Sequence, residues 1–187
     1  SNDGDLSVTI PNRSLREIEK LVSLRSSENS IKLFYDKGQV VFISSNQIIT
    51  TRTLEGTYPN YSQLIPDTFS KILIFNTKKL IDSLERIAVL ADQQSSVVKI
   101  TLDNSDLASI SADAQDIGKA NESIPVSYSG ENFDIAFNVR YLLEGLKVIA
   151  SENVLLKCNI ATTPAVFVPE DNLNSFTYLV MPVQVRS

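Results

Sequence analysis

No histidine occurs among the 187 residues. That removes the commonest general base, every histidine triad and every histidine-ligated metal site. A single cysteine, Cys158, leaves no partner for an internal disulfide and no all-cysteine zinc or iron–sulfur site, and it fits a reducing compartment. The six glycines, Gly4, Gly38, Gly56, Gly118, Gly130 and Gly145, lie far apart, so no glycine-rich loop cradles a phosphate. No run approaches the roughly 20 apolar residues that span a bilayer. The opening Ser1-Asn2-Asp3-Gly4-Asp5 is polar and acidic, lacks the basic and apolar regions of a signal peptide, and reads as a lead-in. These absences argue against an enzyme: no catalytic residues, metal or cofactor are expected, no membrane role, and a cytoplasmic setting.

What is present is an ordinary globular composition. Hydrophobic residues make up 43% of the chain, enough for a core that needs no covalent staple. The length suits one large domain, or one domain and part of another.

The chain repeats itself. Val8-Thr9-Ile10-Pro11-Asn12, Ile72-Leu73-Ile74-Phe75-Asn76 and Asp134-Ile135-Ala136-Phe137-Asn138 are each a β-prone run ending in asparagine, with the asparagines 64 and 62 residues apart. Asparagine is a favoured N-cap because its side-chain oxygen accepts an orphan amide at the helix start. Behind each lies an amphipathic stretch, 13–22, 77–88 and 139–149. The apolar stripes are Leu15, Ile18 and Leu21-Val22; Leu80-Ile81, Leu84 and Ile87-Ala88; and Leu142-Leu143, Leu146 and Ile149. One stripe per helix packs one face on a sheet. Strands are expected at 30–35, 39–44 and 47–54, at 96–102, 107–112 and 120–127, and at 154–158, 165–168 and 176–181, with turns at Asp36-Lys37-Gly38 and Asp103-Asn104-Ser105-Asp106. The unit is therefore β-α-β-β-β, three times over. The fold class is α+β: curved antiparallel β-sheets with helices on one face. A boundary is expected at Pro66-Asp67, dividing the chain into 1–66 and 67–187.

The net charge is −5, which by itself argues against nucleic acid. Its distribution argues otherwise. The three helical stretches hold eight basic residues, Arg13, Arg16, Lys20, Lys78, Lys79, Arg86, Arg140 and Lys147, against five acids, a net +3, while the rest of the chain sums to −8. Charged residues can simply cover solvated helix faces. They can also face a phosphate backbone, with weak, salt-sensitive and sequence-independent affinity, while an acidic outer surface discourages wrapping.

From about Val8 to Arg186 the chain resembles the C-terminal half of the bacterial sliding clamp, the β subunit of the replicative DNA polymerase III. The resemblance rests on Glu55-Gly56-Thr57-Tyr58-Pro59-Asn60-Tyr61 with Leu64-Ile65-Pro66, on Val126-Ser127-Tyr128-Ser129-Gly130, and on Ile135-Ala136-Phe137-Asn138-Val139-Arg140-Tyr141-Leu142. Ser151-Glu152-Asn153-Val154 and Tyr178-Leu179-Val180-Met181-Pro182-Val183 complete it. Each piece is moderately specific; together, in this order, they are highly specific. The resemblance implies the DNA clamp (processivity) fold, with 1–66 the second half of the middle domain and 67–187 the C-terminal domain. It implies a processivity factor that encircles duplex DNA as a homodimeric ring and tethers polymerase III and the clamp loader through a linear motif.

Carried over position by position, the resemblance implies a partner-peptide pocket of Pro59, Gln63, Leu64, Asn138, Tyr141, Thr162, Pro164, Leu179, Val180, Met181, Pro182 and Val183. Its apolar members would bury leucine or phenylalanine anchors, and Asn138 and Tyr141 would orient the polar end. Gln63 departs from the arginine that relatives often carry, and Thr162-Thr163-Pro164 departs from several of them. Leu179-Val180-Met181 equally reads as a last core strand, and Asn138 has its capping task regardless of ligand. Val89 and Leu90 are implied as ring-interface contacts, with the helix's own core packing as the alternative. Cys158 reads as a buried structural thiol. The rival to the clamp reading is a non-enzymatic β-rich protein-interaction module with no nucleic-acid role.

Overall fold

The computed structural model describes residues 7–23, 30–44, 47–91, 96–103, 106–114, 118–128, 130–173 and 175–185. The acidic lead-in at 1–5 and Asn104-Ser105 of the second expected turn lie outside the described residues. The chain divides into two compact units, Ser1–Asn60 and Tyr61–Ser187. The division falls ahead of Pro66-Asp67, with the 3-10 turn Tyr61–Leu64 in the second unit.

The first unit holds helix α1, Asn12–Ser23, and a sheet of order β1-β2-β3: Lys32–Asp36, Gln39–Ser44 and Gln47–Arg52. β1 and β2 are antiparallel and meet at Asp36↔Gln39. Lys37 and Gly38 between them have φ of 45° and 78°, the paired positive values of a two-residue hairpin turn, where glycine carries no Cβ penalty. Val8-Thr9-Ile10, expected as a strand, is not one: one backbone hydrogen bond, Leu54 N–H to the Thr9 carbonyl at 2.8 Å, ties it to the end of the sheet. The cap of α1 also moves. The Pro11 carbonyl accepts the Ser14 and Leu15 amides, so Pro11 holds the cap position and Asn12 opens the helix.

The second unit runs β4 (Lys71–Asn76), α2 (Thr77–Ala91), β5 (Val97–Leu102), β6 (Leu107–Ala114), β7 (Gly118–Ser127), β8 (Phe133–Asn138), α3 (Val139–Leu146), β9 (Asn153–Cys158), β10 (Ala165–Pro169) and β11 (Tyr178–Val180). That is the expected β-α-β-β-β unit twice. The eight strands form one sheet of order β11-β10-β9-β4-β7-β6-β5-β8, every pair antiparallel. The repeats exchange their first strands. β4 pairs with β9 from Lys71↔Cys158 to Asn76↔Asn153, and β8 pairs with β5 from Phe133↔Leu102 to Asn138↔Val97. The helix starts follow the same rule: Thr77 N–H donates to the Glu152 carbonyl at 2.9 Å, and Val139 N–H to the Ser96 carbonyl at 2.8 Å.

Periodicity explains the layers. α2 buries Thr77, Leu80, Ser83, Leu84, Ile87 and Ala91, and α3 buries Val139, Leu142, Gly145 and Leu146, one stripe each. β5 buries Val98, Ile100 and Leu102, and β6 buries Ala108, Ile110, Ala112 and Ala114, the two-residue period of a strand with one face on the core. All of these apolar side chains but Ala114 join Phe75, Phe137 and Phe167 in one cluster with the packed helix pair. Each fully buried leucine or phenylalanine there contributes about 1.5–3 kcal/mol.

Three expected elements end early. α3 stops at Leu146 rather than 149, because Val148 and Ile149 donate to Gly145 and Leu146, three residues back, in a tightened last turn. The strand expected over 176–181 is only Tyr178–Val180, and that over 47–54 ends at Arg52. No helix among the described residues is long and apolar enough to cross a membrane.

Candidate functional site

The C-terminal end of the second unit is organised around α3. Asn138 caps it: its backbone is extended (φ −71°, ψ 119°) and its Oδ1 accepts the Arg140 amide at 3.0 Å. Asn76 does the same for α2, accepting the Lys79 amide at 3.0 Å. Capping leaves Tyr141 on the outer side of α3, 57% exposed. The Tyr178 hydroxyl of β11 donates to the Tyr141 carbonyl at 2.8 Å. The Tyr178 ring lies over Gly145, where a Cβ would collide with it. Burial raises the Tyr178 phenol above its usual range, with the charge of Glu144 adding to the effect, so its hydroxyl keeps its proton and remains a donor.

β11 continues this arrangement. Val180 is buried and pairs with Ala165, Leu179 is half-buried, and Met181 is 53% exposed. Beyond Met181 the half-buried Pro182 leads to Val183, whose amide donates to the Ala136 carbonyl of β8 at 2.7 Å. Thr162 and Val183 line one cleft of about 490 Å³ together with Lys99 and Asp134. Pro164 is half-buried, next to β10. Gln63 and Leu64 lie outside that cleft, on the 3-10 turn, with Leu64 52% exposed. Pro59 is exposed and belongs to the first unit.

A neighbouring cleft of about 630 Å³ shares Val183 with the first, and none of its other lining residues belongs to the expected pocket. Apolar Val97, Ala112, Ala120 and Val185 line it beside Lys99 and Lys119. Both lysines are paired, Lys99 with Asp134 and Lys119 with Asp113, each at 2.7 Å. The hydrogen bond from Lys99 holds the Asp134 carboxyl below its ordinary range. Residues from four separate segments form this cleft, and no local motif signals it.

All eight helix basic residues are exposed, but the structure distributes their charge unequally. Lys20 pairs with Glu17 at 2.8 Å, Lys78 with Asp82 at 2.9 Å and Lys147 with Glu85 at 2.6 Å. Arg86 makes a two-pronged pair with Glu122 of β7; those hydrogen bonds raise the guanidinium and lower the carboxyl relative to their usual values. Arg16 and Lys79 make no ion pair among the described residues.

Val89, near the end of α2, is 72% exposed and Leu90 half-buried, so Val89 takes no part in core packing. Cys158 is fully buried, and desolvation pushes its thiol up to about 11: a packed thiol, not a nucleophile. Among the described residues no group of three or more histidine, cysteine, aspartate and glutamate side chains converges to hold a metal.

Tandem β-α-β-β-β units that exchange strands around a pair of packed helices define a clamp-type domain. The comparisons agree in chain order. The model of the DNA polymerase III beta subunit central domain matches residues 1–60, and that of its C-terminal domain matches residues 62–184. The beta sliding clamp of Synechococcus elongatus is 45% identical over 185 residues, 98% of this chain and 49% of that protein. The crystal structure of the DNA polymerase III beta chain from Streptococcus pneumoniae superposes with a TM-score of 0.87 at 33% identity, covering 99% of this chain and 49% of that one. The C. crescentus clamp, crystallised with polyethylene glycol at its proposed beta-motif tethering region, superposes at 25% identity over 98% of this chain and 48% of that one.

The chain belongs to the DNA polymerase III beta subunit family. It spans about half the length of the curated relatives it matches.

Proposed function

We propose that this chain is part of a non-catalytic DNA polymerase processivity factor, a sliding clamp that encloses duplex DNA in the cytoplasm without reading its sequence. Its first unit is the second half of a middle clamp domain and its second unit a C-terminal domain. The observation that carries this reading is the order of the two family matches, central domain then C-terminal domain, across almost the whole chain. The exposed basic residues of the helices agree with it. They supply long-range attraction to phosphate with few fixed contacts, which is what sliding requires.

Partners are held by a short linear motif in the apolar surface around Leu64, Tyr141, Thr162 and Leu179–Val183, with Asn138 as its polar edge and Gln63 and Pro164 at its margin. Exposed Leu64, Tyr141 and Met181 support this, because they offer anchoring area without disturbing the core. A polymerase tethered to an enclosing ring stays at high effective concentration on its template, so processivity comes from topology. The ring is a homodimer of the longer protein, with Val89 and Leu90 at its joint.

The test uses a version extended to the full length of the relatives and loaded on nicked circular DNA. It should stay on the circle in salt that abolishes ordinary electrostatic binding, and leave when the circle is cut. Release at the same rate from circular and linear DNA would sink the reading and favour an interaction module without a nucleic-acid role.

A further inference from the structure

We infer that Tyr178 is a positioning residue for the proposed peptide surface, setting Met181 at a fixed place relative to Tyr141. This rests on the pocket reading above and names the part of the fold that pre-forms it.

Tyr141 and Met181 are both more than half exposed, and they belong to different elements, α3 and the segment after β11. Two ties fix that segment. On one side of Met181, Tyr178 holds α3 twice: its hydroxyl bonds the Tyr141 carbonyl at 2.8 Å, and its ring fills the space that Gly145 leaves open. On the other side, the Val183 amide bonds the Ala136 carbonyl at 2.7 Å. Ala136 lies in β8, the strand that runs into the Asn138 cap and α3. Met181 is thus bracketed by two hydrogen bonds, one ending on α3, which carries Tyr141, and the other on β8, the strand that leads into it. β11 itself is only three residues long, too short to hold register by its ladder alone. An apolar pair held apart at a set distance binds two anchors of one motif without first being ordered, which removes part of the cost of association.

Met181 is the only methionine of the chain, so methyl-labelled methionine gives one resonance at the proposed surface. The experiment titrates the 187-residue chain with a glutamine-leucine-leucine-phenylalanine peptide and follows that signal. Tyr178→Phe keeps the ring over Gly145 and removes the hydroxyl. It should lower the melting temperature by no more than about 4 °C and raise the peptide Kd roughly three- to tenfold, the worth of one hydrogen bond. Ile110→Val, in the core, costs similar stability and should leave Kd unchanged. Equal Kd for Tyr178→Phe and the parent overturns the inference while leaving the pocket standing. Equal weakening by Ile110→Val overturns it too, since the effect would then be general loosening. A parent signal that never shifts with peptide overturns the pocket reading and this inference with it.

Discussion

The Lys147 ammonium, at the C-cap of α3, lies 2.6 Å from the Glu85 carboxylate of α2, so the pair of helices that buries a common core is also joined across its exposed side. The positive charge of the helices is therefore not all available to an outside phosphate. Lys78 and Arg86 are similarly occupied, by Asp82 and Glu122. Exposed pairs of this kind are worth about 0–1 kcal/mol, so their larger effect is on the field the helices present.

The charge pairing orders the basic residues by their expected contribution to DNA binding. Lys79→Ala removes a cation with no ion pair among the described residues. It should weaken duplex binding and lower the slope of log K against log salt by about 1. Glu85→Gln should strengthen binding by releasing Lys147, with little change in melting temperature. Fluorescence anisotropy with a short duplex across a salt series measures both. Unchanged slopes in both variants would mean that this helix face does not meet the phosphates.

Gly145→Ala tests the contact between α3 and β11. In an open helix the change is stabilising by about 1 kcal/mol, because alanine loses less backbone freedom. Here the new methyl meets the Tyr178 ring, and overpacking of this kind costs about 1–3 kcal/mol. The net cost is up to about 2 kcal/mol, which lowers the melting temperature by up to about 8 °C. In a Tyr178→Ala background, where the ring is gone, Gly145→Ala should cost less than it does in the parent. Calorimetry of the two variants decides the matter; a rise in melting temperature for Gly145→Ala alone would show that the ring moves aside freely.

The elements whose cause is local were legible in the sequence. Asn76 and Asn138 cap the helices that follow them, because a cap needs only a side chain and the next amides. Asn12 fails the same rule because the Pro11 carbonyl takes the first helical amides. The end of α3 was misplaced for a related reason: Ile149 continues the apolar stripe and is buried, but backbone bonding has already tightened before it. Features made by distant segments were not legible. The strand exchange, β4 with β9 and β8 with β5, joins residues of different repeats. The neutralisation of Arg86 by Glu122 and of Lys147 by Glu85 depends on which strand or helix lies alongside. Tyr178 lies within the expected last strand, and nothing in its neighbourhood along the chain announces the Tyr141 carbonyl.

Cys158 gives a prediction with a pH sign. Burial raises its thiol from 9.0 to about 11, so the folded state holds its proton at a pH where the unfolded chain has lost it. The protection is complete below pH 9 and is lost as pH rises toward 11. A thiolate-selective reagent at pH 8 should leave the native protein unmodified, and modify it fully in denaturant. Rapid labelling of the native state at pH 8 would contradict the burial.

The proposed peptide surface should separate from the core by what mutation does to stability. Leu64, Tyr141 and Met181 are each more than half exposed. Truncating them to alanine should change stability by no more than about 0.5 kcal/mol, the usual range for surface positions. Core Leu142 and Leu146 are fully buried, and alanine there costs about 2–5 kcal/mol. Binding should show the reverse order. Met181→Ala and Tyr141→Ala remove anchoring area and should weaken motif-peptide binding at least about tenfold, or more than about 1 kcal/mol each. A conservative core change such as Ile110→Val should leave affinity alone. Paired melting and titration experiments on the same variants read both quantities. A surface that lost stability and kept affinity would be an ordinary exposed edge of the core, and the partner motif would have to be sought elsewhere on the clamp.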